Sequence, residues 1–136
     1  MHNLEITTLE KGWHDKDNVL LHACFQLLTD FMEKEKPGQM IDYNWDSAHR
    51  KVWKELNSLY KWWTEIRPNR KDPYDLIEKN PIPRPQREEM GGPEVQKKYK
   101  RYYSLLNKAG EIEKKWLEED QKNLHRLIEI RSHLWT

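Results

Sequence analysis

Between Asp17 and Met32 the apolar residues fall into two rows at helical spacing. Leu20, Cys24, Leu27 and Phe31 make one, and Leu21, Phe25, Leu28 and Met32 the next. Two adjacent rows predict a helix with a broad buried face, ended at "KPG", where Pro37 and Gly38 cannot continue it. After the loop "QMIDYNW", Asp46 or Ser47 suits the cap of a second amphipathic helix. Ala48, Val52, Leu56, Leu59, Trp63 and Ile66 carry its apolar side, and Pro68 stops it. Asp72 followed by Pro73 is a start signal for a short third helix. Residues 81–93, with Pro81, Pro83 and Pro85 alternating before Gly91 and Gly92, read as an extended connection ending in a hinge.

From Pro93 and Glu94, helical periodicity runs almost to Thr136 through Val95, Tyr99, Tyr102, Leu106 and Ala109, then Ile112, Trp116 or Leu117, Leu124, Leu127, Ile128 and Leu134. One helix of that length would reach about 60 Å, against about 25–30 Å for the first two. The mismatch predicts a bend or break at Gly110, since glycine costs about 1 kcal/mol inside a helix. The alternative is a continuous rod whose overhang seeks a partner. Residues 1–16 read as an N-terminal arm, with Ile6, Thr7 and Thr8 as a weak strand or an extended stretch within it. The predicted fold class is all-α: a small helical bundle of three main helices plus one short helix, in a single domain over 1–136.

Composition changes this picture in two ways. Only 36% of residues are hydrophobic and 35% are charged, which by itself favours disorder. Seven Trp, six Tyr and two Phe argue instead for a folded aromatic core, since each can bury about 150–250 Å². The net charge of +1 provides no global field toward nucleic acid or anionic membrane. It is unevenly spread: −4 over residues 1–45, +2 over 46–92 and +3 over 93–136. The single Cys24 sits in an apolar run, so no internal disulfide forms, and a buried, inert thiol in a reducing cytosol is expected. No segment approaches the ~18 apolar residues of a membrane span, so a cytoplasmic protein is expected.

Candidate chemistry is thin. His14-Asp15 resembles the dipeptide of helical metal-dependent phosphohydrolases, but it lies too near the N-terminus for the preceding helix those enzymes need. Asp15 and Asp17 read more simply as the acidic start of a helix. His22, Gln26, Asp30 and Glu33 share a helical stripe whose ligand types suit Zn, Mn or Fe. Asp30-Phe-Met-Glu33 is similar to the first half of the Mg²⁺ motif of all-helical nucleotide pyrophosphohydrolases, without a clean second half. A solvated polar stripe accounts for the same residues. Basic and aromatic residues interleave in "KKYKRYY" and recur in "RPNRK", a pattern that single-stranded nucleic acid can use; snorkelling lysines around a helical core give the same string. In "YKWWTEIRP", Trp62 and Trp63 point about 100° apart on an α-helix, which predicts that one lies either at an exposed edge beside Arg67 or partly buried against the proline-rich segment.

The stretches "KGWHDKDNVLLHACFQLLTDFMEKEKP" and "LYKWWTEIRPNRKDP", roughly residues 11–73, resemble small proteins of unassigned activity encoded by tailed bacteriophages. The resemblance implies a bacterial cytoplasmic setting and a product that binds and redirects or inhibits host machinery, defence systems included. The leading expectation is therefore a non-enzymatic binding protein that engages a host protein or its own copy. Its surface would combine Trp62, Arg67, Arg70, Lys98 and Arg101, with nucleic acid a less favoured partner and no cofactor. The alternative is a small-ligand protein, either a nucleotide-sequestering module or a divalent-metal-dependent phosphohydrolase. That protein would use His22, Asp30, Glu33 and His49 with carboxylates of the last helix.

Overall fold

Helix α1 (Lys16–Asp30) begins where Asp15 leaves extended geometry. Asp15 forms no side-chain cap; its carbonyl accepts the Val19 amide, while Asp17 Oδ1 accepts that of Asn18 at the positive end of the helix dipole. The helix widens into a π-helical turn, Phe31–Glu35, and Lys36 takes a left-handed conformation at φ 48° that redirects the chain into Pro37. Helix α2 (Ser47–Lys61) is capped by Asp46, whose carboxylate accepts the His49 amide at 2.8 Å. It too ends in a π-helical turn, Trp62–Ile66. The short α3 (Asp75–Glu78) starts later than Asp72-Pro73 implies, because Asp72 Oδ1 accepts the Tyr74 amide in a turn of its own. Helices α4 (Pro93–Lys98) and α5 (Lys100–Glu129) follow the proline-rich segment. The computed structural model describes residues 2–89 and 91–135, and among these there are helices and loops but no strand, so the fold is all-α.

The predicted break at Gly110 does not occur. Helix α5 runs 30 residues, about 45 Å, straight through that position; the interruption falls at Tyr99, whose φ of −113° and ψ of 43° leave the helical region. Gly110 is exposed among good helix formers from Leu105 to Lys115, and its penalty of about 1 kcal/mol is too small to end the run. A Cβ at Gly110 would meet no atom within 4 Å. Gly110→Ala is therefore expected to raise stability by about 1 kcal/mol, read as a higher urea midpoint with an unchanged slope.

The chain divides into two compact units, residues 1–69 with 120–136 and residues 70–119. In the first unit, α1 and α2 enclose Phe25, Leu28, Leu56 and Leu59, all fully buried, and Leu127 and Ile130 join the same core. A Cβ on Gly38 would stand 2.9 Å from the Trp53 ring, itself stacked on Tyr43 at 4.5 Å, so only glycine lets the loop lie there. The second unit has a thinner interior, with Ile77, Ile82, Pro85 and Ala109 buried.

Two expectations about packing are corrected. Trp62 and Trp63 are both buried, at 6% and 5% exposure, so neither forms an exposed edge. Their π-helical turn rotates successive residues by less than the α-helical 100°, which draws both rings toward Phe25. In α1 the buried face is rotated away from the Leu20 row: Leu20 is 58% exposed, whereas His22, Gln26 and Asp30 are buried. Among the described residues no helix is long and apolar enough to cross a membrane.

Candidate functional site

The polar stripe of α1 is a rail for the N-terminal arm. Thr8 Oγ1 lies 2.6 Å from His22 Nδ1, and both the amide and the hydroxyl of Thr7 donate to Gln26 Oε1 at 3.0 Å. Gln26 Nε2 passes the chain on to Asp30 Oδ1 at 3.0 Å, and His2 Nε2 stands 2.9 Å from Asp30 Oδ2. Buried polar groups require partners, and Thr7 and Thr8 of the arm supply them to Gln26 and His22, one helical turn apart. The same residues that read as metal ligands on a solvated stripe thus bind the chain's own backbone and side chains.

The electrostatics follow from this burial. Burial, with the charges of Arg67 and His14, pushes the His22 imidazole down to about 4, against the raising influence of Asp120. His22 is therefore neutral at pH 7, wedged edge-on against Trp63 at 4.8 Å. For Asp30, burial would raise the carboxyl, but the hydrogen bond from Gln26, the Lys34 ammonium and the His2 ring together hold it below its ordinary range. Burial likewise raises the half-buried Cys24 thiol, which favours the inert form.

The proposed metal set does not converge. His22 and Asp30 serve the arm, Glu33 accepts the Tyr60 hydroxyl at 2.7 Å, and His49 turns back to its capping partner Asp46 at 2.8 Å. Among the described residues, one trio of carboxylates (Asp72, Asp75 and Glu78) has oxygens within 4.8 Å of one another. Asp72 already accepts the Tyr74 amide and Asp75 holds Lys79 at 2.9 Å, so local structure accounts for the cluster.

Beside the rail lies a half-enclosed cleft of about 260 Å³, walled by Leu27, Phe31, Leu134 and Trp135. The buried Asp30, the half-buried His2 and Glu35 and the exposed Arg131 complete its lining. Asp30 Oδ1 is doubly satisfied, by Gln26 and by Lys34 at 3.1 Å, whereas Oδ2 has no hydrogen bond. His2 Nε2 stands at ion-pair distance from it and is equally without a hydrogen bond. The sequence contains no signal for this cleft, because its walls come from residues about a hundred positions apart.

Of the predicted surface residues, most are engaged within their own unit. Trp62 is in the core. Arg67 lies over the Trp63 ring at 5.0 Å and grips Asp120 with two hydrogen bonds of 3.0 and 3.2 Å. Arg70 reaches Glu119 at 3.0 Å and covers Trp116. Lys98 pairs with Glu89 at 3.6 Å beside Tyr99.

Arg101 differs: it is exposed, with Lys100, Ser104 and Lys108 along the same side of α5. Two shallow hollows flank the Lys100–Ser104–Lys108 row, one bounded by Arg101 and Leu105, the other by Gln96, Tyr103 and Glu111. Spacings of three and four residues place these cations on adjacent turns. Over residues 93–108 five cations face one acid, Glu94, and among the described residues Lys100, Arg101 and Lys108 have no carboxylate within ion-pair distance.

No family model, curated protein or solved structure matches the chain.

Proposed function

We propose that the chain is a non-enzymatic binding protein whose contact surface is the basic side of α5, and that its partner is an acidic segment of another protein. The observation that carries this is the row Lys100, Arg101 and Lys108, exposed and, among the described residues, with no carboxylate within ion-pair distance, in a chain whose other arginines in Trp-rich surroundings are neutralised by Asp120 and Glu119. Charge left unpaired on one helical side raises encounter rates with an oppositely charged surface and fixes orientation on it. The half-buried Leu105 between Arg101 and Lys108 adds an apolar contact of the kind protein interfaces use.

Nucleic acid is the weaker reading. Tyr102 and Tyr103 pack edge-on against each other at 5.3 Å, and the Tyr99 hydroxyl is held by Glu89 at 2.6 Å, so the rings are committed to packing and not offered for base stacking. With a net charge of +1, the whole molecule adds little to phosphate attraction. In the bacterial cytoplasmic setting that the phage resemblance implies, the acidic partner is a host protein.

Fluorescence anisotropy with a labelled Asp/Glu-rich peptide and a labelled single-stranded oligonucleotide of equal charge tests this reading. The expected result is tighter binding of the peptide, weakened by salt and reduced about tenfold or more in Lys100→Glu/Arg101→Glu. Tighter oligonucleotide binding, or peptide binding indifferent to the charge reversal, would overturn it.

A further inference from the structure

The cleft beside the N-terminal arm is lined by a buried carboxylate, one oxygen of which accepts no hydrogen bond. Asp30 is 4% exposed, and its Oδ2 lies buried at the cleft without a hydrogen bond. A buried carboxylate oxygen in that state is costly, and native proteins fill such positions with a donor. Of the other charged groups, Glu35 and Arg131 are opposite in sign and Lys34 pairs with Oδ1 at 3.1 Å, so Oδ2 is the acceptor that the cleft leaves without a hydrogen bond. The walls are apolar and aromatic, with Phe31 and Trp135 meeting edge to face at 5.7 Å.

We infer that this cleft binds a small primary amine, its ammonium group on Asp30 Oδ2 and its apolar stem against Leu27, Phe31, Leu134 and Trp135. An ammonium satisfies the oxygen with a charge-assisted hydrogen bond, and ring faces add attraction for the cation. An anion or a neutral apolar molecule has no donor to offer and would leave Oδ2 without a hydrogen bond. The volume, about 260 Å³, falls just below the roughly 300–1,000 Å³ of ordinary ligand pockets, which limits the stem to a single ring or a short chain. His2 Nε2 now stands 2.9 Å from Oδ2, at ion-pair distance but without a hydrogen bond, and the ammonium takes its place there.

The test is an NMR titration of the full chain with phenethylammonium and with the neutral phenethyl alcohol, which has nearly the same shape. Saturable shifts at Phe31, Leu134 and the Trp135 indole are expected with the amine, and binding of the alcohol at least about tenfold weaker. Asp30→Asn is expected to abolish that discrimination. Equal affinities for amine and alcohol in the wild-type chain, or no saturable shifts with the amine, would overturn the proposal without recourse to any variant. A blocked lysine amide distinguishes the source of the ammonium. Tighter binding of phenethylammonium assigns a free amine, and tighter binding of the lysine derivative assigns a side chain of a partner.

Discussion

Trp63→Ala is expected to destabilise the protein by about 3–5 kcal/mol, the range for deleting a large aromatic side chain from a packed interior. The indole is 5% exposed, stacks on Phe25 at 4.7 Å and 16°, and receives the edge of His22 on another side. The Arg67 guanidinium closes the stack at 5.0 Å while remaining fixed to Asp120. Removal would open a cavity among groups tied down from several directions, which limits relaxation. Trp13→Ala is the internal control: at 86% exposure it should change stability by no more than about 0.5 kcal/mol. Urea unfolding of both variants, followed by circular dichroism, makes the comparison. Similar losses would show that the Trp63 cluster does not organise the core.

Acidification gives the second large effect. The His22 imidazole titrates near 6.5 when unfolded and near 4 when folded, so between those values the unfolded chain binds the extra proton. Stability must then fall as pH drops through this window, by roughly 2 kcal/mol at pH 5 and about 3 kcal/mol below pH 4. The carboxylates held low in the fold, Asp30 and Glu55, act in the same direction but only at lower pH, as they begin to take up protons. Between pH 6.5 and 5, His22 thus contributes a fall in stability on acidification. His22→Gln should flatten it, at some cost in stability at pH 7 because the contacts to Thr8 and Trp63 are altered. A wild-type curve flat across that window would contradict the burial of this ring.

The helices were legible because their signals are local. Apolar spacing, the Asp46 cap and the prolines mark α1 and α2 with few competing readings. The faces were less legible, since a face depends on what covers it. Two leucine rows made Leu20 look buried, but the arm residues Thr7 and Thr8 selected His22 and Gln26 instead. Nothing in the spacing of α1 reports on a hydrogen bond fourteen or nineteen residues away. Trp62 and Trp63 were misplaced for a related reason: the 100° rule holds only while the helix stays α, and theirs widens at that point. Of the expected contact residues, Arg101 remained on an open surface. Arg67 and Arg70 found acids some fifty positions later, pairings that sequence order conceals.

The paired indoles also have an optical consequence. Rings with centroids 6.0 Å apart and inclined at 48°, next to a stacked phenylalanine, couple their electronic transitions as an exciton. Their couplet falls in the far ultraviolet, on top of the amide bands from which helix content is ordinarily read. Ellipticity in this protein is thus a mixture of backbone and chromophore, and it changes when the indoles move even if every helical hydrogen bond persists. Amide infrared absorption, to which the indoles contribute little, is the measure of helicity that remains independent of the aromatic cluster.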